Sequence, residues 1–265
     1  MLQDLVFYLL GGAAAGVLAG LFGVGGGTIL VPVLLLLFGH SGVPQELWMH
    51  MAVGTSLAVI VLNAVSSIRA HHRRGAVRWP IVWGLTPGVV LGALGGAWIA
   101  DGLTSRTLGL IFAIFLLLVG LQLLTARQPK PQRQLPGFAG LAGAGGVIGV
   151  VSALVGIGGG SLTVPFLAWC NVAMAQAVAT SAAVGLPIAI AGAVGFIVTG
   201  LSHAGLPAWS LGYIYLPAFI GMAGAGMATA PLGARLAHAL PAQRLKQAFG
   251  AFLLLVSARM FYVML

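Results

Sequence analysis

Apolar residues run almost without interruption along this chain, in stretches long enough to cross a lipid bilayer. The stretches cover residues 5–38, 48–68, 80–100, 107–125, 138–171, 174–200, 210–233 and 247–265. A membrane-spanning helix needs about 20 such residues, whereas a barrel strand would alternate apolar with polar positions. The pattern therefore predicts an all-α, polytopic membrane protein with about 8–10 membrane segments.

Two of these stretches are too long for one upright helix. Residues 5–38 would form a helix of about 50 Å, far longer than the bilayer core of about 30 Å. The stretch contains LFGVGGGTILVP at 21–32, and 138–171 contains LVGIGGGSLTVP at 154–165. Because glycine and proline both weaken helices, we expect each stretch to turn at its glycines and to continue as a second, shorter helix.

The two glycine motifs belong to a repeat that covers the whole chain. AVGTS at 52–56 recurs as AVATS at 177–181, and LGLIFAIFLLL at 108–118 recurs as LKQAFGAFLLL at 245–255. The hydrophilic segment ARQPKPQRQLP separates the copies. The sequence thus predicts a first repeat over residues 1–125, a linker over 126–136 and a second repeat over 137–265.

Charge adds an orientation to this picture. The chain is 60% hydrophobic with a net charge of +9, and its Lys and Arg residues cluster in short loops, which is a mark of membrane topology and argues against nucleic-acid binding. Loop 69–78 has four arginines, whereas the equivalent loop 201–208 has no Lys or Arg. Equivalent loops are therefore expected on opposite sides of the membrane. This arrangement is an inverted-topology repeat with three or five crossings per half, a cytoplasmic linker and extracytoplasmic termini.

The helix breaks are candidate anion sites. A helix that begins inside the membrane presents unpaired N–H groups and a positive dipole end, and Thr28 and Ser161 stand where a capping hydroxyl would help. Paired breaks in an inverted repeat are typical of the central site of a transporter. Close helix packing is the alternative explanation of the glycines, and it is favoured for GVVLGALGGA at 88–97 and GMAGAGMA at 221–228.

Hydroxyl pairs near the breaks extend this candidate site, because hydroxyls can donate hydrogen bonds to an anion. The chain has three acidic residues, all near expected span ends, so it lacks the carboxylates that a cation path or an intramembrane proton relay uses. The residues expected to contact the anion are Gly25, Gly26, Gly27, Thr28, Thr55, Ser56, Gly158, Gly159, Gly160, Ser161, Thr180 and Ser181.

No catalytic residue, metal site or cofactor is expected. Walker A, HExxH and GxSxG sequences are all missing from the chain. Cys170 is the single cysteine, which excludes an intramolecular disulfide, a CxxC pair and a cysteine-based zinc site. We therefore expect that the protein is not an enzyme.

The motifs GLFGVGGGTILVPVLL and ALVGIGGGSLTVPFLA, followed by AVGTS and AVATS, resemble the TauE/SafE family of sulfite-exporter-like permeases. The resemblance covers both halves. It implies a multi-pass transporter of the bacterial inner membrane whose substrate is sulfite, an organosulfonate or another small organic anion, and it implies export. It also implies binding roles for Gly25, Gly26, Gly27, Thr28 and their partners Gly158, Gly159, Gly160 and Ser161.

The resulting hypothesis is a secondary transporter that holds a small oxyanion between the N-termini of two broken helices. An anion channel and a non-transporting membrane scaffold or assembly protein are the alternatives. The expected partners are the anion and the lipid bilayer; a homo-oligomer is left open.

Overall fold

The computed structural model describes residues 2–22, 26–125, 133–203, 205–239 and 242–264. These ranges contain ten α-helices, which confirms the all-α prediction. The helices are α1 Leu2–Phe22, α2 Gly27–Phe38, α3 Trp48–Arg73, α4 Trp79–Asp101, α5 Ser105–Leu124, α6 Phe138–Val155, α7 Gly160–Trp169, α8 Met174–Gly200, α9 Leu216–Ala239 and α10 Ala242–Met264. A 3₁₀ turn, Gln45–Leu47, precedes α3, and two short antiparallel strands, β1 Ser210–Leu211 and β2 Ile214–Tyr215, precede α9.

Seven of the described helices are long and apolar enough to cross a membrane, namely α3, α4, α5, α6, α8, α9 and α10. Large apolar side chains also cover the outside of the bundle. Leu91, Trp98 and Leu255 are each more than 70% exposed. Such a surface suits contact with lipid and would be costly in water. The linker residues 126–132 lie outside the described ranges.

The first long apolar stretch is divided into two helices, as the glycines predict. The α1 helix ends at Phe22, α2 begins at Gly27, and the intervening residues 23–25 lie outside the described ranges. The Tyr8 hydroxyl in α1 donates a hydrogen bond to Ser41 Oγ, just beyond α2, over 2.7 Å. The α1–α2 pair is therefore a hairpin whose second arm returns to the level of Tyr8.

The second long stretch folds in the same way. The α6 helix ends at Val155 and α7 begins at Gly160. At the far end of α7, the Trp169 carbonyl accepts the backbone N–H of Arg133 over 3.3 Å. The Arg133 guanidinium also lies 5.1 Å from the centre of the Trp169 ring. Because Arg133 lies shortly before α6, this hairpin also closes back to its starting level.

Glycines set the closest helix pairs. In α1 and α9, a Cβ on Gly12 would lie 2.6 Å from Met222 Cα, and one on Gly16 would lie 2.7 Å from Gly226 Cα. Both residue numbers rise together, so these helices run parallel. In α4 and α6, Gly84 approaches Leu141 and Gly96 approaches Val150, which makes this pair parallel as well. The packing predicted for 88–97 and 221–228 is confirmed by these contacts.

Two other helix pairs cross in antiparallel directions. Gly54 of α3 approaches Phe196 of α8, and Gly192 of α8 approaches Leu57 of α3. In the same way, α5 packs against α10, where Gly109 lies against Met264 and Gly120 lies against Gly250. Helices α3 and α5 of the first half therefore each pack against a helix of the second half.

Candidate functional site

The two helix breaks lie against each other. A Cβ added to Gly27, the first residue of α2, would lie 2.5 Å from the Gly156 carbonyl oxygen and 2.7 Å from Ile157 Cα. The arms that lead away from the breaks contain 12 and 10 residues. They rise about 18 and 15 Å, which is about half the thickness of an apolar core of about 30 Å.

A left-handed glycine starts each of the two short helices. Gly26 has φ of +85° and Gly159 has φ of +75°, and each is the residue before the first helical turn. Side chains other than glycine rarely adopt this conformation, so the sharp reversal of the chain depends on glycine at these two positions. The Gly26 carbonyl accepts the N–H groups of Ile29 and Leu30, and the Gly159 carbonyl accepts those of Leu162 and Thr163. The N–H groups of the first two residues of each helix are left without a backbone acceptor in the described part of the chain.

The prediction that Thr28 and Ser161 cap these helices is wrong. Gly26 and Gly159 occupy the cap positions, and neither helix has a side-chain cap. A capping hydroxyl belongs to a residue in extended backbone, whereas this turn requires the left-handed backbone of glycine at that position. Thr28 and Ser161 are therefore the second residues of their helices.

Both hydroxyls are nevertheless buried without a partner. Thr28 Oγ1 and Ser161 Oγ make no hydrogen bond within the described part of the chain. Ser152 Oγ and Thr163 Oγ1 share this condition, and sequence reasoning missed both residues. They lie 3.8 and 3.4 Å from the point where a Cβ of Gly159 would be. Their spacing was a usable signal, because Ser152 precedes Gly156 by one helical turn and Thr163 follows Gly159 by another.

The threonines of the two hydroxyl pairs make matching contacts. Thr55 Oγ1 in α3 accepts the backbone N–H of Tyr215, next to the start of α9, over 3.0 Å. Thr180 Oγ1 in α8 accepts the backbone N–H of Arg78, just before α4, over 3.1 Å. Each threonine thus fixes the beginning of a helix in the other half of the chain.

The serines next to them lie closer to the breaks. Ser56 Oγ donates a hydrogen bond to the Gly156 carbonyl over 2.9 Å, so it stabilises unwound backbone of the second break. Ser181 is buried in α8. Gly185 of the same helix packs against the Gly158 carbonyl. Gly160 is the first residue of α7. Gly25 lies outside the described residues.

A polar cluster lies at the N-terminal end of α3, around His50. Nε2 of the buried His50 lies 2.9 Å from the Ala100 carbonyl oxygen. The centres of the His50 and Tyr213 rings are 5.1 Å apart. Tyr213 donates its hydroxyl to Asp101 Oδ1 over 2.8 Å. Burial, together with this carboxylate, raises the pKa of Tyr213 well above its usual range. Within the described ranges, no group of three His, Cys, Asp or Glu side chains could hold a metal ion.

Comparison with known proteins adds a family to this geometry. The family profile described as "Sulfite exporter TauE/SafE" matches residues 8–260. A "Probable membrane transporter protein" of Haemophilus influenzae is 36% identical over 263 residues, which cover 98% of this chain and 99% of the relative. A protein of Xylella fastidiosa with the same description is 29% identical over 97% of this chain and 94% of its own length.

A third relative also carries the description of a probable membrane transporter. This protein of Methanocaldococcus jannaschii is 29% identical over 80% of this chain and 78% of the relative. No solved structure matches the chain. The family consists of membrane transporters and not enzymes, which confirms the expectation that this protein is not an enzyme. The chain is therefore a multi-pass membrane protein that belongs to the TauE/SafE sulfite exporter family of membrane transporters.

Proposed function

We propose that the protein is a secondary transporter for a small oxyanion such as sulfite or an organosulfonate, and that it exports this anion across the bacterial inner membrane. The anion is held between the N-termini of α2 and α7. The observation that carries this proposal is the contact between the two breaks, where Gly27 lies against Gly156.

The chemistry around the breaks suits an anion. Two helix N-termini contribute positive dipole ends and unpaired N–H groups to one region. Thr28 and Ser161 add buried hydroxyls that have no partner among the described residues. The three acidic residues lie in the first turn of α1, just before α3 and at the end of α4, namely Asp4, Glu46 and Asp101. A cation would find no carboxylate near these breaks, whereas an oxyanion would find several donors.

The two halves are proposed to form an inverted repeat, residues 1–125 and 137–265. The helix pairs support this arrangement, because a two-fold axis in the membrane plane would generate the same pattern. This axis would map the parallel pair α1–α9 onto the parallel pair α6–α4. It would map each antiparallel pair, α3–α8 and α5–α10, onto itself. Each half then crosses the membrane three times besides its hairpin.

Transport follows from relative movement of the two halves about this site, as in other transporters built from inverted repeats. The hydroxyl pairs are proposed to shape the site from α3 and α8. Ser56 does so through the Gly156 carbonyl. An inside-negative potential favours export by about 2.3 kcal/mol for each negative charge per 100 mV.

Flux in proteoliposomes tests the proposal. Purified protein is reconstituted, and uptake of sulfite and of methanesulfonate is measured with and without the same anion on the opposite side. Saturable flux that the trans anion accelerates is the expected result. Flux that neither saturates nor responds to the trans anion would instead establish a channel. Folded protein with no flux of either anion would contradict the proposal and favour the scaffold.

A further inference from the structure

The two breaks differ in chemistry. We infer that the second break makes most of the contacts with the anion, where Ser152 and Thr163 hold the oxygens of a sulfite or sulfonate group, and that the first break contributes less. This inference rests on the proposed function and deepens it, because it assigns unequal roles to two motifs that look equivalent in the sequence.

The evidence is a comparison of equivalent positions. The motif at 154–165 repeats the motif at 21–32, so Gly159 corresponds to Gly26. A Cβ on Gly159 would meet Thr163 Oγ1 at 3.4 Å and Ser152 Oγ at 3.8 Å. A Cβ on Gly26 would meet Leu30 Cδ1 at 3.5 Å and the Ala19 Cβ at 3.7 Å.

These neighbours occupy the same places in the two copies. Thr163 and Leu30 each follow the left-handed glycine by one helical turn, and Ser152 and Ala19 each precede it by seven residues. The backbone geometry is therefore repeated while the side chains change from two hydroxyls to two apolar groups. A buried hydroxyl without a partner is costly, so a function is the natural reason for two of them at one break.

Burial differs in the same direction. Gly26, Gly27 and Thr28 of the first break are all fully buried. Gly160 and Ser161 of the second break are only partly buried. The start of α7 is thus more exposed than the start of α2.

The hydroxyls match the shape of the proposed ligand. A sulfite or sulfonate group carries three oxygens that accept hydrogen bonds, and the second break offers Ser152 and Thr163 beside the first turn of α7. Hydrogen bonds from hydroxyl and N–H groups to charged oxygens are among the stronger ones in proteins. The apolar neighbours of Gly26 offer no such donors.

The side chain of Ile188 closes this site in the present conformation. Its Cδ1 would lie 2.5 Å from a Cβ on Gly159, the same point that the two hydroxyls flank. Ile188 belongs to α8 and follows Gly185, which packs against the Gly158 carbonyl, by about one helical turn. Because the end of an isoleucine side chain can rotate, binding requires movement of Ile188 and not of the backbone.

The test compares the two breaks in the same assays. Affinity for methanesulfonate is measured by thermal stabilisation of the purified full chain, and flux is measured in proteoliposomes. Ser152→Ala combined with Thr163→Val removes the hydroxyls, and Thr28→Val provides the matched change at the first break. We expect the double variant to raise the half-saturating concentration by roughly ten-fold or more, because each bond to a charged group is strong. The Thr28 variant, which removes a single hydroxyl from the anion, should raise it by a smaller factor of about three-fold.

The outcomes separate the two levels of the proposal. Equal loss of affinity in both variants, with wild-type binding intact, would overturn the unequal roles and leave a shared site. Wild-type protein that neither binds nor transports either anion would overturn the proposed function together with this inference. If the double variant is unstable, Ser152→Ala alone should still raise the half-saturating concentration by about three-fold or more, and wild-type affinity in that variant would overturn the inference.

Discussion

Gly27 packs against Gly156 so closely that a Cβ on Gly27 would lie 2.5 Å from the Gly156 carbonyl oxygen. The obstructing atom belongs to the backbone of the other helix break, and backbone cannot rotate away as a side chain can. This contact joins the two hairpins at the centre of the bundle, so its tolerance of added volume tests how firmly the breaks are held together.

Gly27→Ala should therefore destabilise the protein by about 1–3 kcal/mol, the usual cost of overpacking. The loss is read as a lower melting temperature in detergent. Gly143→Ala is the control, because Gly143 lies inside α6 and a Cβ there would meet nothing within 4 Å. That variant should be neutral or slightly stabilising, since alanine favours helix. Similar losses in both variants would contradict the close contact.

Thr55→Val should destabilise the protein by about 1–3 kcal/mol, because it removes the buried hydrogen bond from the Tyr215 N–H to Thr55 Oγ1. Thr199→Val is the matched control, since the Thr199 hydroxyl donates a hydrogen bond to the Gly195 carbonyl of its own helix. Thermal unfolding measures both variants. If Thr55→Val preserves stability but weakens anion binding, the hydroxyl contacts substrate as the sequence predicts and does not act as a helix anchor.

Tyr213 should make stability depend on alkaline pH. Its pKa is raised in the folded protein, so the folded state keeps the proton at a pH where the unfolded state, with a pKa of about 10, has lost it. The stabilisation is therefore complete below about pH 10 and is lost as pH rises further. Tyr213→Phe should flatten this decline in melting temperature, whereas Tyr262→Phe, at an exposed tyrosine, should leave it unchanged.

Cys170 should react slowly with maleimide in the folded protein. Its side chain is 4% exposed, and burial raises the pKa of the thiol, so little thiolate is present to react. Unfolding in detergent should increase the rate by more than ten-fold. Fast labelling of folded wild-type protein would contradict the buried position of Cys170 at the end of α7.

The inverted repeat predicts opposite labelling of two loops. In a Cys170→Ala background, Ser202→Cys and Gln134→Cys each place a thiol at an exposed residue. A membrane-impermeant maleimide added to intact spheroplasts should label the first variant and not the second, because the basic linker lies inside. Permeabilised cells provide the control in which both react. Labelling of both variants, or of neither, in intact spheroplasts would exclude the proposed topology.

Local patterns predicted the helices and the two turns of the chain, because apolar length and glycine content act within a few residues. The capping role of Thr28 was wrong since the turn needed glycine at the cap itself. The contacts of Thr55 and Thr180 could not be read from the sequence, because their partners lie 160 and 102 residues away. Ser152 was missed for another reason: a single serine in an apolar helix is usually a packing residue.

The parallel packing of α1 against α9 also has a consequence for biosynthesis. The first hairpin leaves the ribosome well before α9, the helix that covers its glycine face and ends at Ala239. At about 5–20 residues per second, that partner arrives tens of seconds later. During this interval Gly12 and Gly16 have no native neighbour, and the helix break must be tolerated by lipid, water or the insertion machinery. Native packing of the first hairpin therefore waits until α9 has been made.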